Sequence, residues 1–172
     1  MSVSAKLAAP LVLASLVLAG GAAGAQTAPA SGAATYGNWI VNCRDRSEGK
    51  KACVASLRIN DAKTKKVALL WQIGESAGGK PTYVVRTPLG VRLKDGVRVA
   101  LDGGKPRRIG YLACNERGCT AVGTFEEGFA KELAGAKEAV TSFTLVDGQV
   151  VNVALPLDGI DKALPALKAR KG

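Results

Sequence analysis

Along most of the chain, hydrophobic and polar residues alternate with the period of a β-strand. In Tyr36–Cys43 the side chains of Trp39, Val41 and Cys43 share one face. In Cys53–Ile59 the residues Ala55, Leu57 and Ile59 do the same. Val67–Ile73 is nearly all apolar, which predicts a strand covered on both faces at its centre. Tyr83–Arg86 follows after a break at Ser76–Pro81. Val97, Val99 and Leu101 alternate with Arg98, Ala100 and Asp102, as in a strand with one wet face. Arg107–Ala113 and Thr120–Phe125 read as the two arms of a hairpin. Ser142–Val146 and Val150–Leu155 flank Asp147-Gly148, a strong hairpin signal. Short strands punctuated by Gly and Pro predict an all-β sandwich or barrel. Trp39 and Trp71 belong to its core, since both sit in apolar strands.

Helical spacing is rare. It occurs around 127–134, where Gly135 weakens the pattern, and at the C-terminus, where Ile160, Ala163, Leu164 and Leu167 line one face. Pro165 should kink or shorten that second helix. Residues 1–25 read as a secretory leader: Lys6, an apolar run from Leu7, then the small residues Ala23-Gly24-Ala25, with cleavage between Ala25 and Gln26. After cleavage no membrane span is expected. Residues 26–35 read as a flexible linker, and 36–172 as one domain.

Composition narrows the chemistry. Histidine is absent, which excludes Ser-His, Cys-His and His-metal mechanisms. The four cysteines, Cys43, Cys53, Cys114 and Cys119, form an even set in an exported chain. They read as two disulfides with local pairing, Cys43–Cys53 and Cys114–Cys119. The alternative, a four-thiolate zinc site, lacks the usual C-x2-C spacing. Cys114-Asn115-Glu116-Arg117-Gly118-Cys119 then becomes a hairpin stapled at its neck, with Gly118 where positive φ is needed.

Several segments, in order, carry a family resemblance. They are Gly37-Asn38-Trp39-Ile40-Val41-Asn42-Cys43, Arg86-Thr87-Pro88-Leu89-Gly90-Val91, Val97–Gly104, Cys114-x4-Cys119-Thr120-Ala121 and Val151–Leu157 with Gly159-Ile160-Asp161-Lys162-Ala163-Leu164. Together they resemble the invasion-associated locus B family of alphaproteobacterial exported proteins, over about residues 36–168. Ile160 stands where the family usually has Phe, a conservative core change. The resemblance implies an immunoglobulin-like β-sandwich exported to the periplasm or cell envelope, with host-cell entry as an association in some pathogens. It supplies no catalytic residues, and fold alone does not fix function.

No catalytic constellation replaces it. Glu126-Glu127 are helix-start charges, because adjacent side chains do not converge. Gly103-Gly104-Lys105 is a turn that lacks the spacing of a phosphate loop. A Ser-Lys hydrolase is not expected: the one Ser-x-x-Lys spacing, Ser47-Glu48-Gly49-Lys50, falls in a basic loop. No cofactor or metal is expected. The formal charge of +10 reads first as a solvated cationic surface that keeps the protein soluble and second as attraction to polyanions, and Arg86, Arg92, Arg98, Arg107 and Arg108 crowd the middle of the chain. If their strands adjoin, they make a cationic sheet face. Few aromatics accompany them, so envelope lipid or glycan fits better than nucleic acid. The expected activity is that of a non-catalytic interaction module for an envelope or host-surface protein, lipid or glycan. Its contact residues would be the hairpin tip, Asn115, Glu116 and Arg117, together with those arginines.

Replacing Cys114 by Ala should lower the melting temperature in oxidising buffer, through a loss of about 2–3 kcal/mol. Under reduction the two proteins should melt together. An equal deficit in both buffers would remove the staple reading.

Overall fold

A computed structural model describes residues 32–45 and 51–169. Eleven strands form two antiparallel sheets. The larger contains β1 (Ala34–Tyr36), β2 (Trp39–Asp45), β3 (Lys51–Asn60), β4 (Val67–Glu75), β5 (Pro81–Thr87), β8 (Tyr111–Asn115) and β9 (Gly118–Thr124). Their order is β1-β2-β3-β4-β5-β9-β8. The smaller contains β6 (Val97–Leu101), β7 (Arg107–Ile109), β10 (Ala139–Thr144) and β11 (Val150–Ala154), in the order β11-β10-β6-β7. Helices α1 (Glu127–Gly135) and α2 (Ile160–Ala169) complete the fold.

The inner faces of the sheets meet over one core that includes Val41, Leu57, Leu69, Trp71, Ile73, Val85, Val97, Val99 and Phe143. Four strands cannot cover seven. The helices cover the remainder, with α2 packing on β1, β2 and β3. Its buried stripe is Ile160, Ala163, Leu164 and Leu167. Phe129 of α1 stacks obliquely on Tyr83, with ring centroids 5.1 Å apart, and Tyr83 stacks on Trp71 at 5.2 Å. Both tryptophans are fully buried, as their strand positions predict.

The opening and closing segments of the domain interlock. Trp39 Nε1 donates to the Pro156 carbonyl at 3.1 Å, and the Asn38 N–H to the Asp158 carbonyl at 3.1 Å. Gly159 lies at φ +84, and a Cβ there would stand 2.0 Å from the Tyr36 carbonyl oxygen. Only glycine admits this approach.

The structure differs from the sequence pattern in several places. Ala34 and Thr35, read as linker, pair with Val41 and Ile40 as the edge strand β1. Residues 1–31, which hold the leader, Ala25, Gln26 and most of the linker, lie outside the described residues. The arm read as Arg107–Ala113 is two strands. β7 pairs with β6 in the small sheet and β8 with β9 in the large one, and the chain changes sheets at Gly110. Val67–Ile73 has one core face; Leu70 and Gln72 on the other are only half-buried. The Asp147-Gly148 hairpin closes on a three-residue loop, Val146 to Gly148, so Val146 belongs to the loop and not to the strand. Leu145 N–H donates to the Gln149 carbonyl and Gly148 N–H to that of Leu145. Pro165 does not shorten α2. The carbonyl it leaves unpartnered belongs to exposed Asp161, while the buried stripe holds the helix in place.

Tyr83 and Tyr111 titrate above their ordinary value of 10.0. Burial is the main cause for each, offset by the Arg107 charge near Tyr83 and by the Thr87 hydrogen bond at Tyr111. A raised folded pKa contributes stability that is complete below pH 10.0 and lost as pH rises through the folded values. Melting temperature should therefore fall in strong alkali as the 295 nm phenolate absorbance rises. Gly118→Ala should cost at least about 2 kcal/mol, combining strain at positive φ with a backbone clash, whereas Gly78→Ala, in open space, should stay within about 0.5 kcal/mol. Paired thermal melts check both.

Candidate functional site

One end of the sandwich gathers the features best placed for contact. The β8–β9 hairpin begins it. Cys114 and Cys119 are cross-strand partners and are disulfide-bonded, as are Cys43 and Cys53 on β2 and β3. Asn115 and Gly118 also pair, so the loop proper is Glu116-Arg117. The Asn115 side-chain oxygen accepts the Arg117 N–H at 2.9 Å, which turns that side chain back onto the loop. Gly118 adopts φ +124, with the Thr87 carbonyl oxygen 2.1 Å from where a Cβ would sit. The hairpin therefore lies tightly against the end of β5.

From there the chain crosses to the other sheet. Thr87 pairs with Cys119. Beyond Pro88 and Leu89, the Gly90 carbonyl accepts the Val146 N–H at 2.9 Å, and the Arg92 N–H donates to the Thr144 carbonyl at 2.8 Å. Val91 bridges Leu145, and an Arg92 Nη reaches the Val146 carbonyl at 3.2 Å. The segment 87–92 thus ties two hairpins, one from each sheet, into a single surface. Three large apolar side chains project from it: Val146 is 66% exposed, Leu89 54% and Leu93 52%. Burying such side chains on a partner would gain about 25 cal/mol per Å² of apolar surface, and nothing in the fold uses that gain.

The five arginines do not make one face. Arg86 lies on the outer side of the large sheet, between Leu70 and Thr120, and its buried Nε has no hydrogen-bond partner among the described residues. Arg98 and Arg108 are direct cross-strand neighbours on the small sheet. Ser142 and Asn152 continue their row. Arg108 is committed to the turn before β6, donating to the carbonyls of Lys94 and Asp95. Arg107 pairs with Glu132 of α1 at 2.6 Å, and its guanidinium lies 4.8 Å from the Phe129 ring centroid. Arg92 belongs to the end surface just described. The strands adjoin only for Arg98, Arg107 and Arg108, because β5 and β6 enter different sheets.

A cleft of about 410 Å³ opens between the β6–β7 turn and α1. Its apolar floor is Val99, Leu101 and Pro106; Lys105, Arg107 and Glu132 form its rim. The Arg107–Glu132 pair spans that rim, and no nucleophile with an adjacent base faces the space. Asp102 holds the turn: its side-chain oxygen accepts the N–H groups of Lys137 and Glu138, both at 2.8 Å. Glu127 starts α1 and pairs with Lys131 at 3.2 Å, which lowers its carboxyl pKa. Among the described residues no three Cys, Asp or Glu side chains converge on a metal-sized site. The sequence pattern also missed the Leu89–Leu93–Val146 surface. Its signal was Pro88-x-Gly90 and Asp147-Gly148, two turns whose proximity depends on the tertiary fold.

Comparison with known proteins matches this architecture. The chain is 29% identical over 139 residues to an invasion protein B homolog of Brucella abortus strain 2308, covering 78% of each chain. The homolog from biovar 1 strain 9-941 of the same species matches equally. The crystal structure of invasion associated protein B from Bartonella henselae superposes with a TM-score of 0.70 at 26% identity, covering 80% of this chain and 95% of that one. The family model described as invasion associated locus B (IalB) protein matches residues 39–168, from the buried Trp39 to the last turn of α2. With the two-sheet core, both hairpins and the closing helix all inside that span, the chain belongs to the invasion associated locus B family.

Proposed function

We propose that this protein is an exported, non-catalytic component of the cell envelope that works by binding a protein partner through the end of its sandwich. The observation that carries this reading is the exposed Leu89, Leu93 and Val146 surface, held by a stapled hairpin and a bridging segment. Apolar side chains on preorganised loops lose little entropy on binding, and Arg92, Lys94 and Arg117 nearby add polar anchors. The sandwich then acts as a scaffold of immunoglobulin-like kind, in which loops at one end make the contacts. Export is supported by the leader pattern in residues 1–25, by the paired cysteines and by family membership. No helix among the described residues is long and apolar enough to cross a membrane. The names of the Brucella and Bartonella relatives make contact with a host surface one setting for the same chemistry.

A second reading rests on the Arg98–Arg108 neighbours and the charge of +10. They would attract anionic lipid or glycan, with binding that weakens steeply as salt rises.

Leu89→Glu with Val146→Glu should abolish recovery of a crosslinked partner from intact envelope while leaving the melting temperature nearly unchanged, because exposed substitutions cost within about 0.5 kcal/mol. Equal recovery by the double variant, or no partner in either case, would overturn the end-surface reading. Vesicles of anionic lipid that bind the double variant and release it in salt would favour the second.

A further inference from the structure

The two sheets have four edges, and three of them are guarded. β1 is only three residues long. β7 is equally short and carries Arg107 and Arg108 after Pro106. β8 is interrupted by a bulge between Tyr111 and Ala113 and pinned by its disulfide. Short length, charge, proline and bulges are the usual means by which sheets avoid pairing with other chains. β11 has none of them. Its sequence is Val150-Val151-Asn152-Val153-Ala154, uncharged, proline-free and paired without irregularity to β10.

The phase of the ladder shows which groups are open. Leu145 bonds Gln149 and Leu155 bonds Ala139 through backbone groups. In an antiparallel pair such bonded positions alternate, so Val151 and Val153 bond to β10. Val150, Asn152 and Ala154 then direct their N–H and C=O groups outward along a sheet edge with no further strand beside it among the described residues.

We infer that β11 pairs antiparallel with β11 of a second copy, about a two-fold axis through Asn152. The open segment is symmetric about that residue. The hairpin turn at Gly148 ends it four residues before, and Pro156, which has no N–H, ends it four residues after. In this register Asn152 meets the partner copy's Asn152, and Val150 meets Ala154, with each open donor facing an acceptor. On the inner side Val151 lies opposite Val153, a β-branched pair that strands favour. Both are half-buried in the single chain and would be covered further in the pair. Asn152 Oδ1 accepts the Ser142 hydroxyl at 2.7 Å, which leaves its amide N–H groups for the opposite Asn152. A chain of charge +10 meets its copy most readily along an uncharged line. Pairing joins two four-stranded sheets into one of eight strands. It is self-complementary, as a two-fold interface must be.

Sedimentation of the purified protein should show its mass rising twofold across the micromolar to millimolar range. Asn152→Lys and Asn152→Asp should each remain monomeric, since each sets like charges opposite one another on the axis. An equimolar mixture of the two should restore the doubled mass, because Lys then faces Asp. The mixture also separates lost pairing from misfolding, since a misfolded variant would not recover. Three results would overturn the inference: a wild-type mass that stays monomeric throughout, which would leave the edge to a foreign strand; doubled mass in both single variants; or a mixture that stays monomeric while both variants melt as the wild type does.

Discussion

The Trp71 indole, buried completely at the centre of the large sheet, donates through Nε1 to Thr141 Oγ1 on the small sheet at 3.1 Å. Both groups are sealed from water, so each would be costly to leave unpaired. The bond fixes how the sheets face one another, and the stacking of Trp71 on Tyr83 extends that constraint toward Phe125 and Phe129. Everything at the periphery adapts to it. The narrow sheet covers the middle of the wide one, α1 closes the aromatic side and α2 the β1–β3 side. The end surface exists because the segment 87–92 must step from one sheet to the other across that fixed separation.

What the sequence made legible was local. Alternation placed Trp39, Val41, Ala55, Leu57, Val97 and Val99 on buried faces, and each cysteine pairs with its nearest neighbour in the chain. Gly118 announced a turn and takes the left-handed backbone expected of it. Strand order was not legible. β5 leaves Thr87 beside β9, about thirty residues on, while β6 joins β10 in the other sheet. That jump separates Arg86 from Arg98 and dissolves the single cationic face that their spacing suggested. The change of sheet at Gly110 was hidden for the same reason: Arg107–Ala113 reads as one alternating run, and only its partners distinguish two strands. Side-chain partnerships such as Arg107 with Glu132, or Asp102 with the loop between α1 and β10, join positions whose proximity the tertiary fold alone creates.

The contact end and the open edge are independent of each other in chemistry but not in geometry. The β10–β11 hairpin tip belongs to the contact end, so antiparallel pairing along β11 would point two such ends in opposite directions. A pair of this kind could bridge two partners, and the second engagement would be governed by effective concentration rather than by new contacts. Neither surface calls for a histidine, a metal or a cofactor. That accords with a chain whose polar groups serve mainly to fasten loops: Asp61 to Thr64, Asn115 to Arg117, Asp147 to Gln149.

The disulfides join positions ten and five residues apart, and each links adjacent strands of one sheet. A chain threaded through a translocon amino end first would present Cys43 and Cys53 together, with Cys114 still on the far side of the membrane. The first pair could close with no wrong partner within reach, and the second would follow as a unit of its own. Oxidation would then need a donor of disulfides but no isomerase to correct errors. Both staples could be in place before the sheets meet around Trp71.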